Sequence, residues 1–492
     1  MKRRAFIKTS VLGTATLGTM MHFNTYAARK PKNRNDVFFI GAPVLPEYLF
    51  EHGIAETLDE MQEWAGINTV MTFSHDHVFN QYRKDFRPKT DLDGNEYTNI
   101  WVKTNPKYYK NDAFTKQDPS AKYAGRDVLE ELREEARPRN MKVYARILEP
   151  YLITGSIPGF EEFSEMDANG NKGSNVCFNH PEYIGYWKSV IDDLIYTHPW
   201  LHGFKFGQER GGPILSSMGK KSTGTCFCKH CLKIAKKLHI NTLKVRKGLI
   251  SIQEYGNNIN VGEKTVDGNF VTFLRILTQF PEVLSWEQFW MDSREMQRKR
   301  MYRQIKAIDQ NIQVGWHIDH GMSWDLLTRA TWDYSKMSSY SDWLSVAVYF
   351  DSMGRRSTGH FDRNYKKLLF GDAQEKYSYP MYLSMLGYNP EKEPLVENHR
   401  QHDTSFSSEY VFKECQRAVK AVNGKTHVHA RPGFDMPGYD CNVKPTQVNE
   451  AVTRALDAGV NGLWCGREWD ELKPENAKAF GDSLKNYQWK HG

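Results

Sequence analysis

Four cysteines and a scatter of carboxylates carry the chemistry of this 492-residue chain. Cys226, Cys228 and Cys231 stand in the run Thr-Gly-Thr-Cys-Phe-Cys-Lys-His-Cys, with Cys177 upstream. Thiols so close in sequence are poorly placed to form disulfides with one another. With a fourth they can converge on one tetrahedral ion, and zinc is the default for four sulfur ligands. His230, inside the run, is the alternative to one thiolate. Cys415, Cys441 and Cys465 read as small buried apolar groups.

The polar residues worth attention stand at or just past the ends of seven of eight β-rich runs. His75 and Asp76 follow the second run, Glu149 the third, and Glu209 and Arg210 the fourth. His317, Asp319 and His320 follow the fifth, Asp351 the sixth, Asp435 the seventh, and Arg467 and Glu468 the eighth. Acids, histidines and arginines gathered in one mouth suit the cleavage of a glycosidic bond. That reaction needs a protonated acid beside the leaving oxygen and an ionised carboxylate across the ring. Glu209, in a glycine-rich stretch, is the expected proton donor; an ion pair with Arg210 is its structural alternative. Asp435 is the expected second carboxylate, or else a turn-forming Asp beside Gly and Pro. Glu468 competes for that role, with Arg467 placed to keep it ionised. His75, Asp76, Glu149, Arg210, His317, Asp319, Asp351, Arg467 and Trp316 are expected to hold substrate. Trp324, Tyr349, Trp464 and Trp469 are further ring platforms.

The elements that must position these groups alternate regularly. Strands are expected at Val37–Leu45, Ile67–Ser74, Lys142–Glu149, Gly203–Gln208, Gln313–Ile318, Trp343–Phe350, His427–Pro432 and Gly462–Gly466. Their apolar content is nearly continuous, as in strands covered on both faces. Helical patterns fall at Glu51–Ala65, Asp127–Asn140, Pro181–His198, Trp286–Ile308, Ser408–Val422 and Thr446–Ala458. Eight such units predict an α/β fold, a (β/α)8 TIM barrel with long βα-loop insertions after strands two, four and six. An open doubly wound sheet is the rival, disfavoured by the lack of Gly-x-Gly-x-x-Gly after the first strand. No Gly-x-Ser-x-Gly elbow, P-loop or His-Glu-x-x-His is present, which weighs against an esterase, a nucleotide enzyme or a zincin.

Two stretches resemble a known family. Val176-Cys-Phe-Asn-His-Pro-Glu-Tyr183 and Cys226-Phe-Cys-Lys-His-Cys231 are similar to the zinc-binding cysteines of family 42 β-galactosidases and related barrel glycoside hydrolases. The chain also resembles uncharacterised exported barrel proteins of polysaccharide-degrading bacteria classed with the glycoside hydrolases. The resemblance implies structural zinc on Cys177, Cys226, Cys228 and Cys231. In that family the acid/base Glu follows an Asn at strand four, and the nucleophile is a Glu at strand seven. This chain has Gln208-Glu209 and Asp435 at those places.

The N-terminus, with Arg3-Arg4-x-Phe6-Ile7-Lys8 before a short apolar stretch, resembles a twin-arginine export signal. Cleavage is expected near Thr25-Tyr26-Ala27, giving a signal over residues 1–27 and a barrel over 28–492 that is periplasmic or secreted. Loss of Lys2, Arg3, Arg4 and Lys8 would take the formal charge from +7 to +3. That excess does not argue for nucleic acid and is compatible with an anionic polysaccharide. A mean hydropathy of −0.65 and the lack of a later long apolar run argue against a membrane span. Carbohydrate is the expected partner. A non-catalytic carbohydrate-binding barrel, and a metal-dependent sugar isomerase or lyase using His317, Asp319 and His320, remain as alternatives.

Overall fold

The computed structural model describes residues 38–76, 100–110, 121–148, 160–207, 209–218, 223–400, 405–438 and 441–491. Eight parallel strands close into a barrel. They are β1 Phe39–Pro43, β2 Thr69–Asp76, β3 Lys142–Leu148, β4 Gly203–Gly207, β5 Gln313–Ile318, β6 Trp343–Val348, β7 His427–Pro432 and β8 Gly462–Trp464. Each pairs with the next, and β8 returns to β1 through Phe39 opposite Gly462 and Gly41 opposite Trp464. Closure removes the open-sheet alternative. All eight fall on the expected runs, most of them shortened where the chain leaves the ladder. β2, β4 and β6 are buried along their whole length, because helices cover one face and inward side chains the other.

The lower barrel is filled by Met71, Tyr144, Trp343, Trp464 and Phe39. Glycine makes room for these rings. A Cβ on Gly41 would fall 2.5 Å from the Trp464 ring, and one on Gly315 would fall 2.1 Å from Trp343. The interior is thus a packed plug, and open space begins only above it.

The outer helices follow the expected pattern with one correction. The stretch expected as one helix over Glu51–Ala65 is two, Pro46–His52 and Ile54–Ala65. Gly53 separates them at φ 106, a backbone state open to glycine but not to other residues. Asp127 caps Val128–Ala136 by accepting from the backbone N–H of Leu129 and Glu130, both at 3.1 Å. The insertion after β4 holds four helices, Pro213–Met218, Lys229–Lys237, Thr242–Asn260 and Asn269–Gln279, before the long outer helix Glu282–Ile308. The connection after β3 adds an antiparallel pair of short strands, Ser164–Met166 and Lys172–Val176. Much of the insertion after β2, and all of the expected signal over 1–27, lie outside the described residues. No helix among the described residues is long and apolar enough to cross a membrane.

Candidate active site

A cavity of about 490 Å³ opens above the aromatic plug, lined from the strand ends by Asp76, Glu209, His317, Asp319, Arg467 and Glu468 among others. A bulge in β2 delivers the first of these. Phe73 pairs with Arg146 and His75 with Ile147, so the register shifts between Phe73 and His75. The extra residue re-aims the end of the strand. Asp76 then joins the lining, while His75 is left fully buried beside Ser74 Oγ, 3.2 Å from its Nδ1.

Glu209 stands just past β4, and its Oε1 lies 2.6 Å from His317 Nε2 at the end of β5. Its side chain keeps 42% of its surface open to the cavity, while the walls of the mouth enclose it on the other sides. Burial opposes its charged form, but the His317 hydrogen bond, with His317, Arg356 and Arg146 nearby, outweighs burial and lowers the carboxyl to about 2. Burial in turn lowers His317 to about 4 despite Glu209. The imidazole is therefore neutral at pH 7, and its N–H rather than its charge holds the carboxylate. Asp319 is pushed the other way. Burial, then the charge of Glu209, raises it to about 7. It also accepts the Gly321 N–H at 2.7 Å. Two neighbouring carboxyl groups thus have opposed protonation states, the condition for one to donate a proton while the other stays ionised.

Glu468 faces the same cavity and is paired with Arg146, with Arg431 at 3.9 Å. Arg467, expected to serve Glu468, is instead bound to Glu471, Nε to Oε2 at 2.8 Å. Arg210 does not pair with Glu209. Its guanidinium turns into the wall, donating to Val176 O at 2.9 Å, lying 3.5 Å from Glu165 Oε1 and stacking on Phe178.

Besides His75, three further expected groups lie away from the cavity lining. Asp435 accepts from Lys473 N at 3.0 Å and from Asn476 Nδ2 at 2.9 Å, fixing the start of the final helix Pro474–His491. Its φ of 61 is the left-handed turn state that Asp tolerates. Asp351 is buried, accepting from Ser352 N at 2.7 Å and Met436 N at 3.1 Å. Trp316 is not a ring platform. It packs outward among the helices, its Nε1 donating to Tyr340 O at 2.8 Å. Trp324 and Tyr349 do line the cavity, whereas Trp464 lies in the plug and Trp469 in the core. Glu149 lies outside the described residues. His320 has Tyr410 Oη 3.1 Å from Nε2 and Arg356 Nη1 2.9 Å from Nδ1. Both nitrogens are engaged by protein, which removes it as a metal ligand beside His317 and Asp319.

The sequence reading missed the cations. Arg146, Lys205 and Arg431 lie inside their strands rather than after them, and all reach the cavity. A charged residue in an otherwise apolar barrel strand was the available signal.

The four cysteines come together as expected. One ligand atom from each of Cys177, Cys226, Cys228 and Cys231 lies within 4.8 Å of the others, so they could hold a metal ion. None is in a disulfide. Cys177 Sγ is 3.5 Å from both Cys228 Sγ and Cys231 Sγ. Tetrahedral zinc with bonds of about 2.3 Å would space sulfurs by roughly 3.8 Å, so the set fits. The thiols of Cys177, Cys226 and Cys231 around Cys228 hold it far below the ordinary thiol range. Asn179 Nδ2 donates to Cys231 Sγ at 3.4 Å, an outer contact of the kind that orients ligands. The cluster also reaches toward the mouth. Val176, beside Cys177, takes Arg210, and Glu165 joins Arg210 to Thr225 Oγ1 at 2.8 Å, beside Cys226.

No known family profile matches the chain, and no curated protein matches it. Among solved structures it is similar to the β-galactosidase of the psychrophilic Marinomonas ef1, at 12% identity and TM-score 0.50 over 92% of this chain and 59% of that one. It is similar too to the β-galactosidase of the Antarctic haloarchaeon Halorubrum lacusprofundi, at 14% identity and TM-score 0.51 over 91% of this chain and 58% of that one. The chain therefore spans less than two thirds of the length of either. At such identities the likeness is one of fold, the (β/α)8 barrel that the eight alternating units predict.

Proposed function

We propose that this protein is a glycoside hydrolase acting on the O-glycosyl bonds of an oligo- or polysaccharide. The observation that carries the reading is the gathering of Glu209, Asp319 and Glu468 on one cavity at the C-terminal mouth of a (β/α)8 barrel. Carboxylates facing across such a cavity are the working parts of glycosidic cleavage, and this end of the barrel is where enzymes of the fold act.

The expected role of Glu209 changes with its surroundings. Held ionised by the His317 N–H, it suits the carboxylate that attacks the anomeric carbon or activates water. Asp319, protonated up to about pH 7, suits the donor to the leaving oxygen. Glu468, between Arg146 and Arg431, is positioned to hold sugar hydroxyls or to serve as a further carboxylate. Trp324 and Tyr349 offer ring faces for stacking. Zinc on the four cysteines would be structural: with all four ligands supplied by protein, no position is left for substrate. Export by the twin-arginine route before the barrel works in the periplasm or outside the cell completes the reading. Folding before export would let thiolates take up metal in a reducing compartment.

The test is release of new reducing ends from a panel of oligosaccharides by the purified protein, beside Glu209→Gln and Asp319→Asn with metal content and unfolding midpoint matched. Loss of turnover in both variants supports the assignment. Normal turnover in either removes that residue from the chemistry. Saturable sugar binding without cleavage would favour the binding-module alternative.

A further inference from the structure

The floor of the mouth holds cations that its carboxylates do not fully satisfy. Among the described residues, seven Lys and Arg side chains line the cavity against five Asp and Glu. Two of the seven, Arg210 and Arg467, spend their charge on Glu165 and Glu471. The three at the floor are the informative ones. Lys205 in β4 pairs across the ladder with Arg146 in β3, and Arg431 reaches in from β7. They are 2%, 7% and 1% exposed. Arg146 pairs with Glu468. Arg431 donates to the backbone carbonyls of Gly466 and Arg467 and lies 3.9 Å from the same Glu468. Lys205 Nζ meets no hydrogen-bond acceptor among the described residues; it rests 4.8 Å from the centre of the Trp464 ring. Glu209, whose charge also acts on Lys205, is held by His317.

We infer that the sugar unit seated in this mouth carries an anionic substituent, a carboxylate or a sulfate ester, bound by Lys205 with Arg146 and Arg431. The inference rests on the glycoside-hydrolase reading of the same cavity and narrows its substrate class. A buried cation is expensive without a counter-charge, and a lysine with no acceptor among the described residues is a contact that a ligand oxygen would complete. Guanidinium groups suit planar carboxylate and sulfate oxygens. A neutral hexose would leave Lys205 without a charged partner.

A second consequence can be measured separately. Burial, then Arg431 and Arg146, pushes Lys205 well below the ordinary lysine range, against the opposing charges of Glu468 and Glu209. Lys205 acts in turn on His317 and His429. An anion bound there would favour the ammonium, so binding takes up protons.

The experiment is isothermal titration of the full protein with neutral hexoses, the matching uronic acids and the matching 6-sulfates, in two buffers of different ionisation enthalpy. We expect one charged series to bind on the order of 10- to 100-fold tighter than its neutral counterpart, with proton uptake. The series that gains identifies carboxylate or sulfate. Lys205→Met should abolish the preference and the proton uptake, while Lys205→Gln, which keeps a donor, should retain part of the preference. Unfolding midpoints report whether the variants fold; if they do not, the comparison on the unaltered protein decides. Equal or absent binding across the charged series, or an unchanged preference in folded Lys205→Met, overturns the inference. Cleavage of neutral oligosaccharides without acid preference would overturn it while leaving the hydrolase reading standing. Acid-selective binding without cleavage would do the reverse.

Discussion

Asp319 and Glu209 are distinguished by surroundings rather than by type. If Asp319 gives the proton, its neutral form is the active one, so turnover should fall as pH rises through about 7. Glu209 must be ionised, and it remains so down to about pH 2, so the acid limb of the profile should come from other groups. Asp319→Asn should cost about 10²–10⁴-fold in kcat and remove the alkaline limb. A limb that survives assigns the proton elsewhere. Glu468→Ala would leave Arg146 and Arg431 buried without their carboxylate. A loss of about 3–5 kcal/mol is expected in denaturant unfolding. Asp435→Ala provides the contrast. It removes the hydrogen bonds to Lys473 and Asn476, which should cost about 1–3 kcal/mol of stability and leave kcat unchanged. Sequence placed Glu209, Asp319 and Glu468 at strand ends correctly. It could not separate Asp435 from them, because an acid after a strand looks the same whether it turns into the mouth or back onto a helix.

At the scale of elements, the strands were legible because burial on both faces imprints an apolar run on each. The helix break at Gly53 and the bulge before His75 were not, since both depend on backbone conformation and register. The bulge matters most: one residue of slip decides that Asp76, not His75, reaches the cavity. The cysteine loop was legible from spacing alone, but its link to the mouth was not. That link runs from Cys177 through Val176 to Arg210, and from Arg210 through Glu165 to Thr225. Removing metal with a chelator, or substituting Cys228→Ser, should therefore lower the unfolding midpoint and reduce kcat more than it raises KM. An unchanged midpoint in metal-free protein would show that the four thiols do not brace this region. Trp324→Ala, which removes a ring from the cavity lining, should weaken substrate binding. Trp316→Ala should instead cost about 3–5 kcal/mol of stability by emptying a packed site.

Over the whole molecule, closure of the barrel brings together acids scattered from Asp76 to Glu468. Each strand ends at the same rim, so separation in sequence becomes proximity in space. The cations were hidden from a reading of strand ends because Arg146, Lys205 and Arg431 lie within the strands, where apolar neighbours mask them. Their presence makes the mouth more basic than the formal charge of +7 on 492 residues suggests. The central claim is that this rim cleaves glycosidic bonds. The most direct measurement is the appearance of new reducing ends from neutral and acidic oligosaccharides, with unaltered protein and Glu209→Gln run side by side. The account predicts cleavage by the former and a loss of about 10²-fold or more in the folded variant. Undiminished cleavage by Glu209→Gln, or sugar binding without cleavage by either, would contradict it.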